Sequence, residues 1–166
     1  MRFILFTFWL IIFTSCQQPL QEESLTDAEK AETIADVRQM LNDYFYDMQN
    51  VGLLSEFKYL DSTPDFFWVP PGYESAIDYD SVQAILIKSA PLYRSISYQW
   101  DTLRIIPLTK DLVNYTGRIN GILIDAAGNS TTLQMLETGI IIKRPDGWKL
   151  LSGQSAILSN GVNELH

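Results

Sequence analysis

Apolar positions recur at helical spacing in the first third of the chain and alternate at strand spacing through the second half. Ile34, Val37, Leu41, Tyr44 and Met48 fall three and four residues apart, with Met40 and Phe45 beside them. The spacing predicts a helix from near Lys30 to Asn50 and Gly52, with one face buried. Leu53, Leu54, Phe57 and Leu60 predict a second, shorter helix, stopped by Asp61-Ser62-Thr63-Pro64. Phe66 to Val69 is a short strand cut by Pro70-Pro71-Gly72. Asp80 and Gln83 have the spacing of a capping box ahead of a stripe of Val82, Ile85, Leu86 and Ala90, and Pro91 ends that helix.

From there the period changes to two. Ile96, Tyr98 and Trp100 alternate with polar residues, and long strands follow over 112–124, 131–143 and 148–158, separated by turn sequences at 125–129 and 144–147. Helices first and strands afterwards predict an α+β fold, a cone-shaped roll with helices on a curved antiparallel sheet of four to six strands. Closing the 144–147 turn with Lys143 opposite Trp148 makes paired positions sum to 291, so Gly139 meets Ser152 and Glu137 meets Gln154. Closing the preceding turn with Ile124 opposite Ser130 puts Gly117 beside Glu137 and Ile119 beside Met135. Alternation then collects Val113, Tyr115, Ile119, Met135, Glu137, Ile141, Trp148, Leu150, Ser152 and Gln154 on one face. That face is apolar, with a polar strip of Tyr115, Glu137, Ser152 and Gln154.

The N-terminus changes the picture of where this domain works. Met1-Arg2 precedes an apolar run from Phe3 to Phe13 that closes in Thr14-Ser15-Cys16. The run is about half the length of a membrane span, and the layout is that of a secretory signal ending in small residues. It resembles the bacterial lipoprotein signal, in which the cysteine becomes the lipidated first residue. The resemblance implies a signal peptide over 1–15, lipidation of Cys16, and an exported protein held at the cell envelope by its acyl chains, facing the periplasm or in the outer membrane. Residues 16–29, polar and without apolar period, are expected to form a tether. The domain is expected over 30–160, with a tail over 161–166.

Twelve basic residues face 20 acidic ones, a net charge of −8 that becomes −9 without Arg2. An acidic chain without a basic cluster argues against nucleic acid as a partner. The single histidine is His166, the last residue, which removes histidine-based triads and most zinc sites. No metal and no cofactor are expected.

The stretches Val113-Asn114-Tyr115-Thr116-Gly117, Gly139-Ile140-Ile141-Ile142-Lys143 and Asp146-Gly147-Trp148-Lys149-Leu150 resemble the nuclear transport factor 2-like superfamily. The likeness is to its SnoaL-like branch and extends over about 32–158. The superfamily includes SnoaL-like polyketide cyclases and ketosteroid isomerases. The resemblance implies a cone-shaped fold and, commonly, a dimer. Members of the family often carry histidines four and six residues after the tryptophan, where this chain has Ser152 and Gln154. Fold alone does not fix function.

An apolar concave face with a few convergent polar groups is the pattern of a small-molecule pocket. Glu137 is the leading candidate for acid–base chemistry, because partial desolvation raises a carboxyl pKa toward neutrality. Tyr44 and Tyr115 are candidate hydroxyl donors, and Asp101 is a second acid expected near the cavity mouth. Trp68, Trp100, Ser152 and Gln154 are candidate ligand contacts. Two functions fit. The preferred one is a lipid-anchored module binding a small, partly apolar ligand or partner. The alternative is a cofactor-independent acid–base enzyme of the isomerase or cyclase kind with Glu137 as proton carrier. The other sheet face, with Leu136, Ile140, Ile142, Leu151 and Ile157, is expected to form a homodimer.

Overall fold

The structure is a computed structural model that describes residues 25–158. The signal peptide, Cys16, most of the tether and the tail lie outside the described residues. Helix α1 spans Asp27–Asn50 and starts three residues before the expected Lys30. The cause is a capping box that the apolar period does not reveal. The Thr26 hydroxyl accepts from the Glu29 amide at 3.3 Å, and the Glu29 carboxylate accepts from the Thr26 amide at 2.8 Å. The buried face of α1 carries Val37, Met40, Leu41, Tyr44, Phe45 and Met48, as its spacing requires.

Leu53–Lys58 is a 3₁₀ helix, and β1 covers Phe67–Val69. Helix α2 spans Tyr79–Ser89. Its cap is Asp78, whose carboxylate accepts from the Ser81 amide at 2.9 Å, so the expected capping box at Asp80 is corrected. A 3₁₀ turn over Ala90–Leu92 leads into β2 (Tyr93–Pro107), β3 (Leu112–Asp125), β4 (Ser130–Arg144) and β5 (Gly147–Ile157).

The five strands form one sheet in the order β1-β5-β4-β3-β2. Strands β2 to β5 are antiparallel, as expected, but β1 pairs with β5 in parallel, through Phe67↔Ser152 to Val69↔Gln154. The sheet is therefore mixed. α2, β2, β3 and β4 lie between β1 and β5 in the chain, so no hairpin turn forces these two strands to run antiparallel.

The β3–β4 register follows the expected pairs, including Gly117↔Glu137 and Ile119↔Met135. The β4–β5 register does so only as far as Ile141↔Leu150. Leu151 is then an extra residue, and the pairs become Gly139↔Gly153, Thr138↔Gln154 and Glu137↔Ser155. A bulge of one residue turns every later side chain of the strand over. Gln154 is exposed, and Ser155 takes the place beside Glu137. Ile157 moves to the pairing partner of Met135 and leaves the outer face on which it was expected.

The core lies between α1 and the concave face of the sheet. Val37, Leu41, Val113, Tyr115, Ile119 and Ile141 are fully buried in it. Burying each aliphatic side chain contributes about 1.5–3 kcal/mol. A second set of contacts fixes the 3₁₀ helix under the sheet. The Asp61 amide donates to the Leu150 carbonyl at 2.9 Å, and the Leu150 amide donates to the Tyr59 carbonyl at 2.7 Å. Asp61, itself buried, holds Arg144 by an ion pair, with the Arg144 Nε donating at 3.0 Å. Asp47, which its position on α1 marks as solvated, instead accepts from the Tyr59 hydroxyl at 2.6 Å and from Lys58 Nζ at 2.9 Å. Those two bonds hold its carboxyl below the usual carboxylate range.

Candidate functional site

A cavity of about 280 Å³ opens between α1, the 3₁₀ helix, α2 and the concave sheet face. This is close to the lower end of the range for small-molecule pockets, about 300–1,000 Å³. Most of its wall is apolar: Met48, Leu53, Leu60, Phe66, Val82, Ile85, Leu86, Ile96, Met135 and Leu150. The polar groups that reach it are few, and they converge. They include Glu137, Ser155, Trp68, Tyr44, Tyr98 and Glu56.

Glu137 is buried at the base, on β4. Its Oε1 accepts from the Tyr115 hydroxyl on β3 at 2.8 Å, and its Oε2 accepts from Ser155 Oγ on β5 at 3.1 Å. Ser155 Oγ in turn accepts from the Trp68 indole on β1 at 3.1 Å. Three strands thus position one carboxyl through a chain of donors. Burial pushes the Glu137 carboxyl up, while the Tyr115 and Ser155 bonds work against that rise. Tyr115 is fully buried behind Glu137 and does not line the cavity. Its phenol is held well above its ordinary value by burial, and the neighbouring carboxylate adds to the effect.

The second acid is Glu56, which the sequence reading passed over. A 3₁₀ helix has three residues per turn, so i and i+3 eclipse. Glu56 therefore lies directly beneath Leu53, and both line the cavity. Its side chain is only partly shielded by surface area, yet its carboxyl is packed by enough protein to lose much of its hydration. Burial raises its pKa to about 7; the Tyr44 hydroxyl beside it works downward, and the charge of Glu137 adds to the rise. Tyr44 itself is buried on α1, and burial lifts its phenol well above the normal range, with Glu56 the next contributor.

The other expected site residues divide. Trp68 lines the cavity and packs over Gly153, where a Cβ would stand 2.6 Å from its ring. Trp100 does not line it. Its indole stacks on Phe45 at 4.8 Å, meets Tyr115 edge-on at 6.2 Å and covers Gly117, filling the core beside the site. Ser152 is buried but pairs with Ile140 and Phe67 and stays outside the cavity wall. Gln154 is carried outward by the bulge. Asp101 sits at an irregularity of β2 and faces Arg118 at 3.8 Å on the surface, away from the cavity. Among the described residues, no group of three or more histidine, cysteine or acidic residues could hold a metal ion.

The arrangement can do two things. It can take up a small apolar body that offers donors or positive charge to two carboxyls, and it can exchange a proton near neutrality through Glu56.

No protein-family model matches the sequence, and no curated protein matches it. Solved structures do. A nuclear transport factor 2-like superfamily protein from Salmonella enterica superposes with a TM-score of 0.66 at 11% identity, over 82% of this chain and 99% of that one. A type 3 hexachlorocyclohexane dehydrochlorinase from Novosphingobium barchaimii gives 0.63 at 14% identity, over 81% and 92% of the two chains. A protein with a cystatin-like fold from Caulobacter vibrioides gives 0.61 at 11% identity, over 78% and 92%. Identities this low carry the architecture and not the chemistry. With its helices packed on a curved five-stranded sheet, the chain has the nuclear transport factor 2-like, cystatin-like fold.

Proposed function

We propose that the protein binds a small, partly apolar ligand in the cavity between α1 and the sheet, and that it does so at the cell envelope, anchored through lipid on Cys16. The observation that carries the binding reading is the Trp68–Ser155–Glu137–Tyr115 chain at the base of a mostly apolar wall. Both Glu137 oxygens already accept hydrogen bonds, which orients the group for recognition and restrains it as a proton carrier. Native mass spectrometry of gently purified protein is expected to show a small molecule that is lost on denaturation. An Ile85→Trp variant, which places an indole in the cavity wall, should lack it. Identical masses for native, denatured and variant protein would count against the reading.

The anchor is supported by the Ser15-Cys16 ending of the leader. Two or more acyl chains hold a protein at a bilayer where one is marginal. Cells fed labelled palmitate are expected to label the protein, and a Cys16→Ser variant is expected to lose both label and membrane association. Labelling that survives the substitution would place the lipid elsewhere.

The second reading, a cofactor-independent acid–base enzyme of the isomerase or cyclase kind, is favoured by Glu56, whose pKa of about 7 suits a general acid or base. In it Glu56 carries the proton and Tyr44 donates to developing negative charge. The outer sheet face is proposed to meet a second copy of the chain. Ile106, Ile122 and Leu136 are exposed along it, and a second sheet laid against this face would cover them.

A further inference from the structure

The geometry points to a small organic cation as the ligand of this cavity: an ammonium whose charge sits between Glu56 and Glu137 and whose aryl or alkyl part lies against Tyr98 and Phe66. The inference rests on the ligand-binding reading above and names the class of ligand.

The cavity wall contains two carboxyl groups and no lysine, arginine or histidine. Lys88 and Arg94, next in sequence to the lining residues Ser89 and Tyr93, are exposed and do not line the cavity, and three other cations are committed elsewhere. Lys58 donates to Asp47, Arg144 to Asp61, and Lys149 to the Lys58 carbonyl. An anionic ligand would add a third negative charge to a dehydrated space, and a neutral one would leave the two carboxyls opposed. A cation resolves the conflict. Ammonium-to-carboxylate hydrogen bonds are shorter and stronger than neutral ones. Tyr44, Phe66, Trp68 and Tyr98 line the same wall, and aromatic rings attract a desolvated cation.

The empty cavity meets the same electrostatic problem by holding a proton. Burial and the charge of Glu137 lift Glu56 to about 7 against the opposing Tyr44 hydroxyl. The groups facing Glu56 are Tyr44 from α1, Tyr98 from β2, Tyr115 from β3 and Glu137 from β4. Strands β1 and β5 and helix α2 present Trp68, Ser155 and Ser89, which carry no charge. Binding is then an exchange. The Glu56 carboxyl releases its proton to solvent, the ammonium keeps all of its own, and one positive charge replaces another.

The test is calorimetric titration of the protein with 2-phenylethylammonium, 2-phenylethanol and 3-phenylpropanoate. At about pH 8 the ammonium should bind about tenfold tighter than the alcohol, and the propanoate should not bind. Affinity for the ammonium should rise about tenfold between pH 6 and 8 as the competing proton leaves. The heat should vary with the ionisation enthalpy of the buffer, which reports the released proton. Glu56→Gln should lose both the preference and the pH trend, and Glu56→Asp should keep them. If the Gln variant fails to fold, the pH and buffer series on the unaltered protein decides. Equal affinity for ammonium and alcohol, or an ammonium affinity indifferent to pH, overturns the cation inference and leaves the cavity as a binding site. Failure of all three probes to bind overturns both.

Discussion

Urea unfolding of the protein is expected to show stability falling by about 2–3 kcal/mol as pH rises from about 5 to 8. The group responsible is Glu56, whose folded pKa of about 7 stands above its ordinary 4.5. Between those values the folded chain binds more protons than the unfolded chain. The associated stability is fully present below 4.5 and is lost as pH climbs through 7. A rise of that size corresponds to about 3 kcal/mol, and the partial exposure of Glu56 reduces it through solvent screening. Glu137 is raised too, by burial, and acts in the same sense. On the acid side the sign reverses. Asp47, Asp125 and Asp146 are held low by hydrogen bonds, so their contribution is lost as pH falls through their folded values. Stability should therefore peak on the mildly acidic side of neutrality. A Glu56→Gln variant should flatten the slope above about pH 5, and in thermal scans the unaltered protein should lose about 6–10 °C across that range. Stability constant or increasing between pH 5 and 8 would contradict the dehydrated position of Glu56.

Replacing Gly153 by valine is expected to destabilise the fold by about 3 kcal/mol and to abolish binding in the cavity. A Cβ at this position would lie 2.5 Å from the Thr138 carbonyl and 2.6 Å from the Trp68 ring. The carbonyl belongs to the β4 backbone and cannot withdraw without disturbing the ladder. The indole can turn away, but its Nε1 then leaves Ser155, and the bond from Ser155 to Glu137 loses its support. The packing defect and the site defect should appear together. Denaturant midpoints measure the first, and a red shift of tryptophan emission reports the second. A variant within 0.5 kcal/mol of the original, with unchanged emission, would show that the sheet absorbs the added methyl groups freely.

Much of the fold was legible because its elements are long and strongly periodic. The α1 stripe and the β3–β4 register came directly from spacing, since side-chain period fixes which residues share a face. What escaped depended on single residues that break a period. The bulge at Leu151 moved Gln154 out and Ser155 in. Gly153, a glycine inside a strand pattern, was the available sign of it. Glu56 was overlooked because the apolar residues around it suggest an α-helix, whereas a 3₁₀ turn brings it under Leu53. Asp101 and Trp100 were misplaced relative to the cavity for a third reason. The β2 register shifts between Trp100 and Thr102, and Phe45 of α1 stacks on Trp100, tertiary matters that composition does not encode.

The parallel placement of β1 also bears on how the molecule avoids sticking to its neighbours. A sheet margin normally offers free amides and carbonyls to any extended chain that drifts past. Here the margin beyond β5 ends in only three residues. Trp68 is already paired on its far side with Ile77, its amide donating at 2.9 Å and its carbonyl accepting at 2.8 Å. Pro70 and Pro71 follow at once, and neither has an amide hydrogen to give. Strand addition onto β1 is thereby blocked, and the long β2 is the sheet's other margin.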